Sequence, residues 1–160
     1  NFQTNKFFEK KELCMWKKIV FFILIFFCNI AFGNENYYLM LKNSKVNVRM
    51  GPGLDYPVKF IYKKKYLPVK IIDKKENFRK VIDHKKNSGW IHISQLKKVN
   101  SVIVLSNRIL FKKPTFNSKP IANIESGKLF VLEKCKKNWC EVSSQNYSGW
   151  INMDNVWGKD

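Results

Sequence analysis

The tetrapeptide Ser88-Gly89-Trp90-Ile91 returns sixty residues later as Ser148-Gly149-Trp150-Ile151. Self-similarity at a fixed period marks one structural unit used twice, so this repeat limits the possible folds more than any other feature of the chain. Working backwards from it, Val81 aligns with Val142 and Phe78 with Trp139. Val69 and Ile71 align with Phe130 and Leu132, Pro52 with Pro114, and Val48 with Leu110. Working forwards, Leu96 aligns with Val156. Apolar positions correspond and polar ones do not. The offset drifts only in stretches rich in Lys, Asn and Ser, where turns tolerate changes of length.

Each unit reads as β-structure. Val46 and Val48 alternate with Asn47 and Arg49, as in a strand with one buried face. Gly51-Pro52-Gly53 predicts a turn, because Gly supplies positive φ and Pro fixes its own. Phe60–Tyr62, Val69–Ile72, Arg79–Ile82 and Gly89–Ile93 are further short strand candidates, about five per unit. No helical period of useful length occurs after residue 33. An all-β chain of two small closed barrels follows, since closure removes exposed strand edges. The units span 38–98 and 102–158, with a short linker around Lys97–Ser101.

Barrels this small have marginal cores. In the second, Cys135 and Cys140 flank Lys136-Lys137-Asn138-Trp139, which reads as a hairpin tip. Cross-strand neighbours near such a tip come within the roughly 5.5 Å between Cα atoms that a disulfide needs. The bond would add about 2 kcal/mol. The alternative, a two-thiol metal site, lacks nearby His or further Cys to complete four ligands, and no metal is expected. Lys74 and Arg79 stand at the equivalent places in the first unit, which has no such staple.

The N-terminal region belongs to targeting, not to the fold. From Met15 the chain reads Met-Trp-Lys-Lys, then an apolar run from Ile19 to Cys28, then small residues at Ala31 and Gly33 before the polar Asn34. Residues 15–33 thus predict a secretory signal cleaved between Gly33 and Asn34. The apolar run is short for a membrane span, which takes about 20 residues. Retention as an uncleaved anchor is the alternative. Lipid attachment at Cys28 is disfavoured by the bulky Phe27 before it. Residues 1–14 precede a complete signal and are expected to be an over-extended start or a fragment without function. The formal charge is +18, and removing residues 1–33 takes away five Lys and two Glu to leave +15. Such a balance suits anionic partners. It is also what AT-rich coding bias produces, since nearly all the basic residues are Lys. Export takes the protein away from nucleic acid. The two cysteines beyond residue 33 suit an oxidising compartment.

Val46-Asn47-Val48-Arg49-Met50-Gly51-Pro52-Gly53, followed by Tyr56-Pro57-Val58, resembles the opening of bacterial SH3 domains, and Gly89-Trp90-Ile91 resembles their ending. The resemblance covers residues 38–158. It is closest to a tandem subgroup whose second repeat carries a Cys-x4-Cys hairpin, Gly-Trp and a terminal Trp-Gly, here Cys135, Cys140, Gly149-Trp150 and Trp157-Gly158. Repeat 2 departs from the opening motif. Leu110-Phe111-Lys112-Lys113-Pro114 lacks the Asn, the Arg and both Gly residues. If that loop binds ligand, repeat 2 either does not bind or binds differently. The resemblance implies two tandem SH3-like barrels associated with the cell envelope. It implies as ligand the peptides of peptidoglycan or a partner protein.

Catalysis needs a nucleophile with its base, paired carboxylates or a metal cluster. Only His84, in a Lys- and Asn-rich tip expected to be solvated, and His92, pointing away from the core by alternation, are present. No phosphate-binding Gly loop exists. The chain is therefore expected to have no catalytic residue and no cofactor. Binding falls to surface aromatics and charge, with Tyr56 and Tyr62 flanking the opening loop beside Arg49 and Asp55. Tyr62 packing inside the barrel is the alternative. Trp90 and Trp150 are expected against the barrel walls, and Trp157 to seal the second barrel or the seam. The lysine pairs and triplet at 63–65, 74–75 and 85–86 are expected at solvated turns. The expectation is a monomeric periplasmic or envelope-associated module for peptidoglycan or its peptide stems. The runner-up is a module that docks onto another envelope protein. A non-specific polycation on anionic membrane is a third reading.

Overall fold

A computed structural model describes residues 37–144 and 147–159. The signal, its cleavage point at Gly33 and Asn34, and the segment 1–14 lie outside the described residues.

Fourteen strands and one 3-10 turn follow in chain order among the described residues. The first repeat has β1 (Tyr37–Leu41), β2 (Val46–Arg49), β3 (Val58–Tyr62), β4 (Pro68–Lys75), β5 (Phe78–Ile82), β6 (Ser88–His92), a 3-10 turn (Ile93–Gln95) and β7 (Leu96–Lys98). The second has β8 (Ser101–Val104), β9 (Arg108–Phe111), β10 (Pro120–Ile124), β11 (Leu129–Lys136), β12 (Trp139–Ser144), β13 (Tyr147–Asn152) and β14 (Val156–Trp157). Each repeat forms a seven-stranded antiparallel sheet, in the orders β3-β2-β6-β5-β4-β1-β7 and β10-β9-β13-β12-β11-β8-β14. The orders are the same once seven is added to each strand number. The protein is all-β, two tandem SH3-like barrels, as expected.

Five strands per unit was an undercount. The additional strands are β1 and β7 in the first repeat and β8 and β14 in the second. Tyr37–Leu41 shows no alternation because one face of β1 packs Leu39 and Leu41 on the first core while the other buries Met40 and turns Tyr38 toward Trp157 of the second repeat, ring centroids 5.3 Å apart. A strand covered on both faces loses the polar half of its pattern. β7 and β14 are too short to show one.

Correspondence extends to irregularities. The β4–β5 ladder slips between Ile71 and Asp73, and the β11–β12 ladder between Leu132 and Lys134. Lys74 pairs with Arg79 where Cys135 pairs with Cys140, and the two cysteines are joined by a disulfide, Cα atoms 4.1 Å apart. The Gly-Trp signature has a steric cause. A Cβ on Gly89 would come within 2.9 Å of Arg49 O, and one on Gly149 within 2.9 Å of Phe111 O. The strand bearing the glycine crosses its neighbour too closely for any side chain.

Inward residues of each sheet fill a core. Val46, Val48, Val69, Ile71, Val81 and Ile91 centre the first, and Val104, Leu110, Phe130, Val142 and Ile151 the second. The repeats are welded by β8, buried at all four positions. Val102 and Val104 enter the second core while Ile103 enters the first. Ser101 Oγ donates to Tyr66 O at 2.6 Å. Trp157 packs against the first core and donates through Nε1 to Pro68 O at 3.0 Å, which seals the seam.

Candidate functional site

Alternation along β2 sends Val46 and Val48 into the core and Asn47 and Arg49 outward. The loop that follows, residues 50–57, is closed by Met50 N–H donating to Pro57 O at 3.1 Å. Arg49 Nη1 reaches across it to Tyr56 O at 2.7 Å. The Tyr56 ring lies over Gly51 and Gly53, where any Cβ would meet it, and Asp55 Oδ1 lies against Gly53. Gly-Pro-Gly thus makes room for the tyrosine to lie flat on its own loop. Tyr56 remains 43 % exposed, and Leu54 at the loop tip 71 %.

Beside this loop lies an open cleft of about 530 Å³, lined by Lys45, Asn47, Arg49, Leu54, Ile61, His92, Ser94 and Gln95. The strand neighbours β2, β3 and β6 and the 3-10 turn supply its walls. His92 caps that turn, its Nδ1 lying 2.7 Å from Ser94 Oγ and 3.3 Å from Ser94 N. Accepting from the Ser94 amide places the proton of the neutral ring on Nε2. The Phe78 ring meets the imidazole edge-on, centroids 5.1 Å apart.

Of the residues expected at a site, Asp55 and Tyr56 lie in the loop and Arg49, at the end of β2, reaches across it; of the three, Arg49 lines the cleft. Tyr62 does not. It pairs with Val46, at the end of the β2–β3 hairpin away from the loop. Its hydroxyl donates to Asp83 Oδ2 at 3.1 Å. The spacing of Tyr62 from Tyr56 along the strand separates them because an extended chain rises about 3.3 Å per residue. Burial, then the Asp83 charge, drive the Tyr62 phenol far above its ordinary range. His84 is also not a solvated tip residue. It is half-buried, its Nδ1 lacks a partner, and burial lowers its pKa. The cleft residues overlooked by sequence reasoning are Lys45, Asn47, Leu54, Ile61, His92, Ser94 and Gln95. Asn47 and His92 carried a signal, since alternation turns both outward. Nothing local joined them, because β2 and β6 meet only in the folded sheet.

Repeat 2 keeps the loop and changes its chemistry. Residues 112–119 are closed by Lys112 N–H donating to Lys119 O at 3.0 Å, the counterpart of the Met50–Pro57 bond. Phe111 stands for Arg49, Phe116 for Leu54, Trp139 for Phe78 and Asn152 for His92. The rings of Phe111, Phe116 and Trp139 pack edge to face, with centroids 4.7 to 6.0 Å apart. Arg108 takes the carbonyls of Asn152, Asp154 and Asn155 at 2.6, 2.7 and 3.0 Å. Among the described residues no group of three or more His, Cys, Asp or Glu could hold a metal ion, and no helix is long and apolar enough to cross a membrane.

A comparison with curated protein sequences finds no match. Solved structures that resemble the chain include NlpC2 from Trichomonas vaginalis, at 14 % identity over 79 % of this chain and 49 % of that one, TM-score 0.36. They also include NlpC1 from the same organism, at 12 % identity over 81 % and 48 %, TM-score 0.35. An NlpC/P60 family protein from Bacillus cereus aligns at 14 % identity over 75 % and 55 %, TM-score 0.36. The chain spans about half the length of these proteins. The pattern described as "Bacterial SH3 domain" matches residues 42–98 and 106–158, one match per barrel, and the chain therefore belongs to the bacterial SH3 domain family.

Proposed function

We propose that this is an exported, non-catalytic binding module of the cell envelope that recognises peptidoglycan, through its peptide stems, at the cleft of repeat 1. The observation that carries the reading is the cleft itself. It sets a guanidinium, an amide and an imidazole around apolar Leu54 and Ile61. A short peptide offers such a surface carboxylates, amides and small apolar side chains, which are the groups it can pair. Membership of the bacterial SH3 domain family supports a wall or protein ligand. The disulfide suits an oxidising compartment. It also occupies both thiols of the described residues, which leaves no thiolate nucleophile there.

The test is co-sedimentation of the protein with purified sacculi across a salt series. Binding is expected to persist at high salt and to fall about tenfold in Arg49→Ala, the loss typical of a central contact, and by less in Tyr56→Ala, whose ring lies on the loop beside the cleft, with the circular dichroism spectrum unchanged. Undiminished binding by both variants would remove the named site. Exposed Met50 at the base of the loop and Leu54 at its tip favour a second reading, docking onto another envelope protein. Its signature is absence of sacculus binding together with a stable partner recovered from envelope extracts.

A further inference from the structure

The structure assigns a second binding site, at the seam between the repeats, for a ligand bearing clustered phosphate oxyanions. It is separate from the cleft of repeat 1 and independent of what that cleft binds.

A groove of about 510 Å³ runs along the seam between Lys64, Lys65 and Tyr66 of repeat 1 and Lys128, Ser143 and Ser144 of repeat 2, with apolar Leu129 and Val131 also in its lining. Lys97 joins it through Tyr66, whose ring carries the ammonium groups of Lys65 at 5.0 Å and of Lys97 at 4.7 Å. Four lysines thus converge from three separate segments of chain, and among the described residues none of them is in a salt bridge. Ser143 donates its hydroxyl to Glu133 at 2.6 Å, so of the two groove serines Ser144 keeps its hydroxyl for a ligand. Like charges held together without a salt bridge repel. A concave wall of one sign concentrates its opposite.

The internal repeat supplies a control. Tyr66 N–H donates to Leu41 O at 3.0 Å, and at the same turn of repeat 2 Gly127 N–H donates to Val104 O at 2.8 Å. Both residues are left-handed, φ 65° at Tyr66 and φ 85° at Gly127. Gly adopts that conformation freely, whereas a bulky side chain there is strained. Repeat 2 shows that the turn needs nothing but Gly. Repeat 1 holds an aromatic residue in it, its backbone N–H bonded to Leu41 O and its carbonyl to Ser101 Oγ, and the ring and Lys65 line the groove with Lys97 against the same ring. Strain retained where an unstrained residue would serve points to a use for the side chain. Tetrahedral oxyanions match this set, since several ammonium groups and a hydroxyl can share one phosphate.

Inorganic pyrophosphate is the probe, titrated into the protein by calorimetry. Saturable binding at one site is expected. Exchanging Lys65→Gln together with Lys128→Gln should weaken it about tenfold or more, the loss expected of two charge-assisted hydrogen bonds. Lys74→Gln with Lys75→Gln removes the same charge from the exposed end of β4 and should change affinity by less than about twofold, since distant charges are screened. Tyr66→Gly, which repeat 2 shows the turn accepts, should keep the fold and lower the affinity. Equal losses from the two lysine pairs, or no saturable binding, would overturn the site. Vesicles of phosphatidylglycerol separate the sources of the phosphate. Vesicle binding lost with the groove pair would place it on a lipid, and pyrophosphate binding without vesicle binding would place it on a soluble or polymeric ligand.

Discussion

Tyr62 shares the inward face of β3 with Phe60, and its hydroxyl ends on Asp83. Asp83 is only 3 % exposed and is held by Lys85 N, Asn87 N and Asn87 Nδ2 besides the tyrosine. The carboxylate organises the turn between β5 and β6, and the phenol closes it against the core. This pair has a consequence for pH. The fold favours the neutral phenol, whose pKa is raised by burial and by the neighbouring charge. The unfolded phenol ionises near 10. The stability that the raised value represents is therefore complete below about pH 10 and is lost as pH rises beyond it. Denaturant midpoints measured from pH 8 to 11 should decline at the alkaline end, and Tyr62→Phe should flatten that decline while lowering stability at pH 8 by about 1 kcal/mol for the lost hydrogen bond. Sequence alone left Tyr62 equally compatible with surface and interior. What settled it was Asp83, a residue 21 positions away that no local pattern joins to it.

The hairpins β4–β5 and β11–β12 are the same element with different fastenings. Each contains a ladder slip at the same place, and each turn holds a non-Gly residue in the left-handed region, Glu76 and Lys137. One is closed by the disulfide. In the other, Arg79 Nη1 donates to Glu76 O and Phe78 O, both at 2.9 Å. Lys74 and Arg79 face each other just as the two cysteines do. Lys74→Cys combined with Arg79→Cys should form a second bond under oxidising conditions and stabilise repeat 1 by about 1–2 kcal/mol, somewhat below the chain-entropy value because the arginine hydrogen bonds are lost. Intact mass with and without reductant and the urea midpoint check it. Reducing the native bond should lower stability by about 2 kcal/mol in the same measurement. The hairpin was legible from Cys spacing and turn residues. The slip was not, because a bulge answers to the curvature a barrel needs, which the local sequence does not state.

Across the whole molecule, β8 turns two small barrels into one compact unit. Val102, Ile103 and Val104 alternate between the two cores, and two residues separate the strand from β7. Trp157 comes back from the chain end to close the same seam against Tyr38 and Pro68. Repeats that share a buried strand should unfold together. A single denaturation transition is expected for the protein. Trp157→Ala should lower its stability by about 2–3 kcal/mol, toward the lower end for a truncated Trp because the ring is half-buried. Tryptophan fluorescence and far-ultraviolet circular dichroism followed in urea test this, with coincident curves expected for the unaltered chain.

The repeat, the strand-forming alternation and the Gly-Trp signature were determined by the sequence itself, because each follows from residues near one another or from a steric need no other residue meets. The same holds for the pairing of Cys135 with Cys140 and for the loop that gathers Arg49, Asp55 and Tyr56. The cleft, the placement of Tyr62 and the seam groove were decided by the tertiary structure. Asn47 and His92 become neighbours only when β2 and β6 pair, and Lys64 and Lys128 only when β8 draws the repeats together. Alternation tells a side chain which way to point. Only the folded sheet brings it the distant residue it will meet there.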